Sequence, residues 1–193
     1  MDTQEQFTAF AGPENVVTGP LNEVAQAART LIEASEPRPV LVFSNNTGAQ
    51  LDIDLRGGPE AVVAQYSAKP ALVAESAAPR KPGRPKLGVV GREVTLMPRH
   101  WEWLNVQPGG ASVALRKLVE QARRGNKHLD RVRFAREATY RFISAMAGNE
   151  PGFEEACRAL FAGNKDGFTE QSQAWPMDVC EFAQALALNA FED

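Results

Sequence analysis

The chain of 193 residues carries only two cysteines and two histidines, and each scarcity removes a class of function. Cys157 and Cys180 fall in helix-like segments and match no metal-ligand spacing. That excludes a zinc ribbon and a disulfide framework, and fits the reduced, part-buried thiols of a cytoplasmic protein. His100 and His128 stand apart, and His100 falls in the first turn of a short helix beside Trp101, a surface or packing position. The chain lacks G-x-S-x-G, a P-loop, G-x-G-x-x-G, C-x-x-C and H-E-x-x-H. The catalytic inventory is therefore too thin for an enzyme, and no catalytic residue, metal or cofactor is expected. The longest apolar runs are too short to cross a bilayer, and no charged-then-apolar leader opens the sequence. These absences predict a cytoplasmic protein without a membrane partner.

What the chain does have is a core and a charge asymmetry. Its apolar fraction of 44% is close to the globular norm. The net charge of −3 conceals three blocks of alternating sign. Residues 1–76 carry 4 basic and 10 acidic side chains, residues 77–127 carry 11 and 3, and residues 128–193 carry 6 and 11. A basic block between two acidic ones is the footprint of a polyanion-binding centre. Its bland counterpart is a basic segment that pairs with the acidic flanks of its own molecule.

The organisation reads as α+β in four parts. Residues 1–56 make a small α+β module. Phe7–Phe10 forms a short strand and Gly12-Pro13 a turn. Leu21–Ala34 is helical, because Leu21, Val24, Ala28, Leu31 and Ile32 recur at helical steps. Val40–Phe43 and Leu51–Leu55 form a hairpin across Ser44-Asn45-Asn46-Thr47-Gly48. The continuously apolar first strand is central; the second alternates, with Leu51, Ile53 and Leu55 inward. Asp52 and Asp54 share the outer face as solvated carboxylates, with no third ligand nearby. Residues 57–87 form a basic, Pro-rich linker, with room for a short helix at Glu60–Ser67.

Residues 88–126 combine a strand over Val89–Leu96, a short helix over Arg99–Val106, a Pro-Gly-Gly turn and a longer helix from Ala111 to Arg124. Ser112 suits the N-cap of the longer helix. Trp103, Leu104 and Val106, with Ala111, Leu115, Leu118, Val119 and Ala122, are the apolar positions offered for burial. So short a segment cannot bury its own apolar face and must dimerise or dock. Residues 127–193 form an all-helical module. One helix runs to Gly148, a second contains Phe153–Phe161 and stops at Gly163, and a third opens at Pro176. Trp175 precedes that last helix as a core plug.

Three resemblances follow from these residues. GREVTLMPRHWEWLNVQPGGASVALRKLVEQARR resembles the ribbon-helix-helix fold of bacterial repressors, with Ser112-Val113-Ala114-Leu115-Arg116 set against that family's serine-to-leucine-arginine element at the start of the second helix. The resemblance implies an intertwined homodimer whose paired strands enter the major groove while the second helix anchors on a phosphate. This strand departs from the family pattern, because Leu96, two positions before Pro98, stands where a polar or basic reader is usual, and in the other phase Glu93 would repel phosphates. GRP, within APRKPGRPKLG, resembles an AT-hook, whose Arg-Pro backbone lies along A·T-rich minor grooves. Over nearly the whole chain, TAFAG, VLVF…TG…DLRG, GRPKLGVVGREVTLMPRHWEWL and YRFISAMAG…PGFEEACRALFAG resemble the bacterial family catalogued as domain of unknown function 2239.

Together these readings predict a dimeric DNA-binding protein, a bacterial transcriptional regulator associated with the nucleoid. Its partners would be A·T-rich double-stranded DNA and a second copy. The candidate contacts are Arg80, Lys81, Gly83, Arg84, Pro85 and Lys86 in the hook, Arg92 and Thr95 in the ribbon, and Arg99, Ser112, Arg116, Lys117, Arg123 and Arg124 on the helices. The hook, rather than the ribbon, would hold the DNA. The alternative is an interaction or structural protein whose central segment only dimerises and whose linker pairs with its own acidic modules.

Overall fold

The computed structural model describes residues 5–54, 65–66 and 90–192. It is mixed α+β: a four-stranded antiparallel sheet precedes a mostly helical remainder. Two compact units are present, Met1–Pro70 with His128–Asp193, and Ala71–Lys127.

In the first unit, β1 (Phe7–Ala11) and β2 (Glu14–Gly19) form a hairpin, and α1 (Leu21–Glu33) leads to β3 (Val40–Ser44) and β4 (Gln50–Leu51). The sheet order is β2-β1-β3-β4. β3 lies inside the sheet, as its unbroken apolar run predicts. Strand β2 was not expected from the sequence. Gly12, with φ +58, turns the chain back, and Val16-Val17-Thr18 supplies β-branched residues that suit a pleated edge. A register shift between Ala9 and Phe10 leaves Val16 without a partner on β1, a β-bulge. β4 is shorter than the predicted Leu51–Leu55, although Leu51 and Ile53 still pack toward the α1 side.

Alternation along β1 and β3 divides the side chains between two cores. Phe7, Ala9 and Val42 meet Val24 and Ala28 of α1. Phe10 and Phe43 point the other way, into a cluster with Phe142, Ile143, Leu160, Phe168, Trp175 and Val179. Those residues belong to α4 (Lys127–Met146), α5 (Phe153–Ala162), α6 (Lys165–Ser172), the loop that follows it, and α7 (Met177–Leu186). The sheet is thus covered on both faces, so the described residues of the N-terminal segment and those from His128 onward share one body, where the sequence suggested separate modules. Neither segment could close that core alone. Helix α6 is an addition to the predicted elements; Asn164 caps it by accepting from the Gly167 amide at 3.0 Å. Trp175 is buried and donates through Nε1 to the Pro151 carbonyl at 2.9 Å, the plug expected of it.

The hairpin turn between β3 and β4 docks directly on α4. Gly48 has φ +61, and a Cβ there would overlap the Ala138 carbonyl. Arg141 donates to the Thr47 carbonyl at 3.2 Å. Ser44 Oγ accepts from the Asn46 and Thr47 amides, each at 3.3 Å, and holds the turn shape. Asp52 is exposed, as a solvated-face carboxylate should be.

The second unit contains α2 (Pro98–Asn105) and α3 (Gly110–Gly125). Residues 90–96, the described part of the predicted strand, form no strand. A strand needs a ladder partner, and a single copy of this segment offers none among the described residues. The expected helix at Glu60–Ser67 falls almost wholly outside the described residues. No helix among the described residues is long and apolar enough to cross a membrane.

Candidate nucleic-acid interface

The helical pair α2–α3 carries the described part of the basic centre. Pro98 sits in the first turn of α2, where its missing donor costs nothing. Gln107-Pro108-Gly109 then turns the chain. Gly109 and Gly110 both take left-handed backbone angles, φ +87 and +74, which L side chains rarely adopt. The Gly110 amide donates to the Gln107 carbonyl at 2.9 Å and closes the turn.

Gly109, not Ser112, is the N-cap of α3, and no side chain caps that end. Ser112 lies inside the first turn, and its carbonyl accepts from Arg116 Nε at 3.0 Å. Two consecutive left-handed glycines start the helix earlier than a serine cap would. The first-turn amides of α3 therefore lack a side-chain acceptor, as an anion-accepting helix end requires.

Burial in this pair is slight. Leu104 and Ala114 are its buried apolar residues among those described, at 3% and 8% exposure. Trp103, Val106, Leu118 and Val119, expected inside, are 51%, 78%, 44% and 64% exposed. Val90, Val94 and Met97 are exposed as well. Two helices packed on each other have one line of contact, so within this pair most of an apolar face built for two neighbours stays open.

Arg92, Thr95, Arg99, Arg116 and Lys117 are exposed. Among the described residues, Arg92, Arg99 and Lys117 meet no carboxylate, which leaves their charges available. Arg123 and Arg124 differ. Glu120 accepts from Arg123 Nε and Nη2 at 3.0 and 2.9 Å and from Arg124 Nε at 2.8 Å. Those hydrogen bonds, Arg123's first, hold the Glu120 carboxyl below its ordinary range and raise Arg123 above its own. Glu120 precedes the two arginines by three and four residues, a spacing that is readable in the sequence. Arg80, Lys81, Gly83, Arg84, Pro85 and Lys86, the hook residues, lie outside the described residues.

A shallow groove of about 540 Å³ runs along α3, bordered by Val113, Arg116, Lys117, Glu120, Gln121 and Arg124. His100 is exposed on α2. Among the described residues no His/Cys/Asp/Glu group could hold a metal ion.

The profile of a family described as an uncharacterised protein conserved in bacteria, domain of unknown function 2239, matches residues 6–187. No curated protein and no solved structure matches the chain.

Proposed function

We propose that this chain, which belongs to the bacterial family of domain of unknown function 2239, is a dimeric DNA-binding protein that acts in transcriptional regulation. The observation that carries the reading is the set of exposed cations, Arg92, Arg99, Arg116 and Lys117, that meet no carboxylate among the described residues, on a unit of marked positive charge. Residues 71–127 hold eleven basic and four acidic side chains, against ten and twenty in the remainder. A concentrated positive field beside a helix end with free amides favours phosphate. The GRP segment adds an Arg-Pro chemistry suited to the narrow A·T groove, and Arg84 is its central contact.

The open apolar face of α2 and α3 supports the dimer. Trp103, Val106, Leu118 and Val119 on a second copy would cover the same residues of the first. Such pairing would also give residues 90–96 a strand to meet. Two copies would double the phosphate contacts, so affinity should fall steeply with salt.

Titration of labelled A·T-rich and G·C-rich duplexes at two salt concentrations tests the reading. Tighter binding to the A·T-rich duplex, weakened by salt, is expected. Absence of binding to both at low salt would sink it. Deleting residues 79–87 should abolish DNA retention while the fold survives.

One observation favours the second reading, an interaction protein whose central pair only dimerises. Arg123 and Arg124 are already satisfied by Glu120. On that reading the deletion of 79–87 alters stability or oligomeric state and no duplex binds.

A further inference from the structure

The groove on α3 places one carboxylate among three cations, Arg116, Lys117 and Arg124, and a fourth, Arg123, reaches the same carboxylate; the geometry suggests what that carboxylate stands for. Positions 113, 116, 117, 120, 121 and 124 recur at three- and four-residue steps, so they share one side of the helix. Arg116 and Lys117 lie one turn before Glu120, and Arg123 and Arg124 one turn after. Arg123 meets Glu120 with a two-pronged fork, Nε on one oxygen and Nη2 on the other, and Arg124 Nε shares the second oxygen. Forked arginine recognition serves phosphate and carboxylate alike, because both offer paired oxygens at similar spacing.

We propose that Glu120 is an internal stand-in for a phosphate: the groove is a phosphodiester-binding site, and nucleic acid enters it by displacing the Glu120 carboxylate from Arg123 and Arg124. The inference rests on the DNA-binding reading and adds its regulation. Displacement is feasible because the pairs are exposed; the Arg123 and Arg124 side chains are 70% and 77% accessible. Exposed ion pairs contribute little and exchange readily. Until they exchange, the two arginines contribute no phosphate contact, and Glu120 itself repels an approaching phosphate. The residue therefore lowers affinity and makes it shallower in salt, which suits a regulator that must leave its site.

Glu120→Gln keeps the side-chain size and removes the charge. Its binding to a labelled A·T-rich duplex should be about threefold to tenfold tighter at low salt. The slope of log affinity against log salt should steepen by about one. The same substitution on an Arg123→Gln/Arg124→Gln background should gain much less, because the released partners are gone. Circular dichroism confirms that each variant keeps its helices.

A native chain that binds while Glu120→Gln gains nothing overturns the stand-in and leaves the DNA-binding reading intact. An equal gain with and without the two arginines also overturns it, since Glu120 would then act as a distant charge. Binding by Glu120→Gln where the native chain shows none supports it. Failure of both chains to bind at low salt removes the DNA-binding reading and this inference together.

Discussion

Phe43 and Phe142, ninety-nine positions apart, meet edge to face with ring centroids 5.0 Å apart and planes at 82°. Phe142 also contacts Phe10 at 5.5 Å and Phe182 at 4.6 Å. One ring on α4 thus joins two strands of the sheet to α7. Through this contact the first and last segments become one body.

Phe142→Ala should destabilise the first unit by about 3–5 kcal/mol, the range for deleting a fully enclosed aromatic ring. Urea denaturation followed by tryptophan fluorescence and by circular dichroism checks it. Sheet and helices should unfold in one shifted transition. Loss of the helical signal at an unshifted midpoint would mean that the segments fold separately.

Gly48 is required twice over, by its positive φ and by the Ala138 carbonyl against it. Gly48→Ala should cost about 1–3 kcal/mol from backbone strain alone, and more if the turn lifts from α4. Asn46→Ala, on the exposed part of the same turn, is the control and should stay within about 0.5 kcal/mol. Thermal melts of the two variants compare them directly.

The open face of α2–α3 predicts a concentration-dependent dimer. Val119→Asp places a charge on the 64% exposed valine without disturbing the buried Leu104 or Ala114. Light scattering after size exclusion should show a dimer for the native chain and a monomer for the variant, with equal helix content. A native chain that stays monomeric at tens of micromolar would rule out this dimer.

Burial, aided by the neighbouring Glu154, pushes the Cys157 thiol above its ordinary value. A folded value above the unfolded one favours the neutral thiol. The stabilising contribution is therefore fully present below the unfolded pKa and is lost as pH rises through the folded one. Iodoacetamide at pH 8 should alkylate Cys157 more slowly in the folded chain than in urea, since the thiolate is the nucleophile. Equal rates would show that burial does not govern the thiol.

The local elements were legible wherever a short-range pattern dictated them. Leu21, Val24 and Ala28 announce α1; Val40–Phe43 announces an inner strand; Gly163 and Pro176 bound helices of the C-terminal segment. β2 was missed because its pattern is short and its outward residues mix polar and apolar, as an edge strand allows. Helix α6 was missed because Lys165–Ser172 has few apolar positions, and its start depends on the Asn164 cap. The basic candidates were legible as charges. Whether each charge is available was not, since among the described residues Lys117 meets no carboxylate while Arg123 and Arg124 are held by Glu120.

Composition and periodicity by themselves determined the α+β character, the basic centre and its acidic flanks, because charge and hydrophobic spacing are properties of the chain. Only the tertiary structure decided that the two acidic flanks form one body. Phe10 and Phe43 lie on one face of the sheet and Phe142 lies about a hundred residues away. Their meeting depends on which surfaces can exclude water together, a condition no local window of sequence contains.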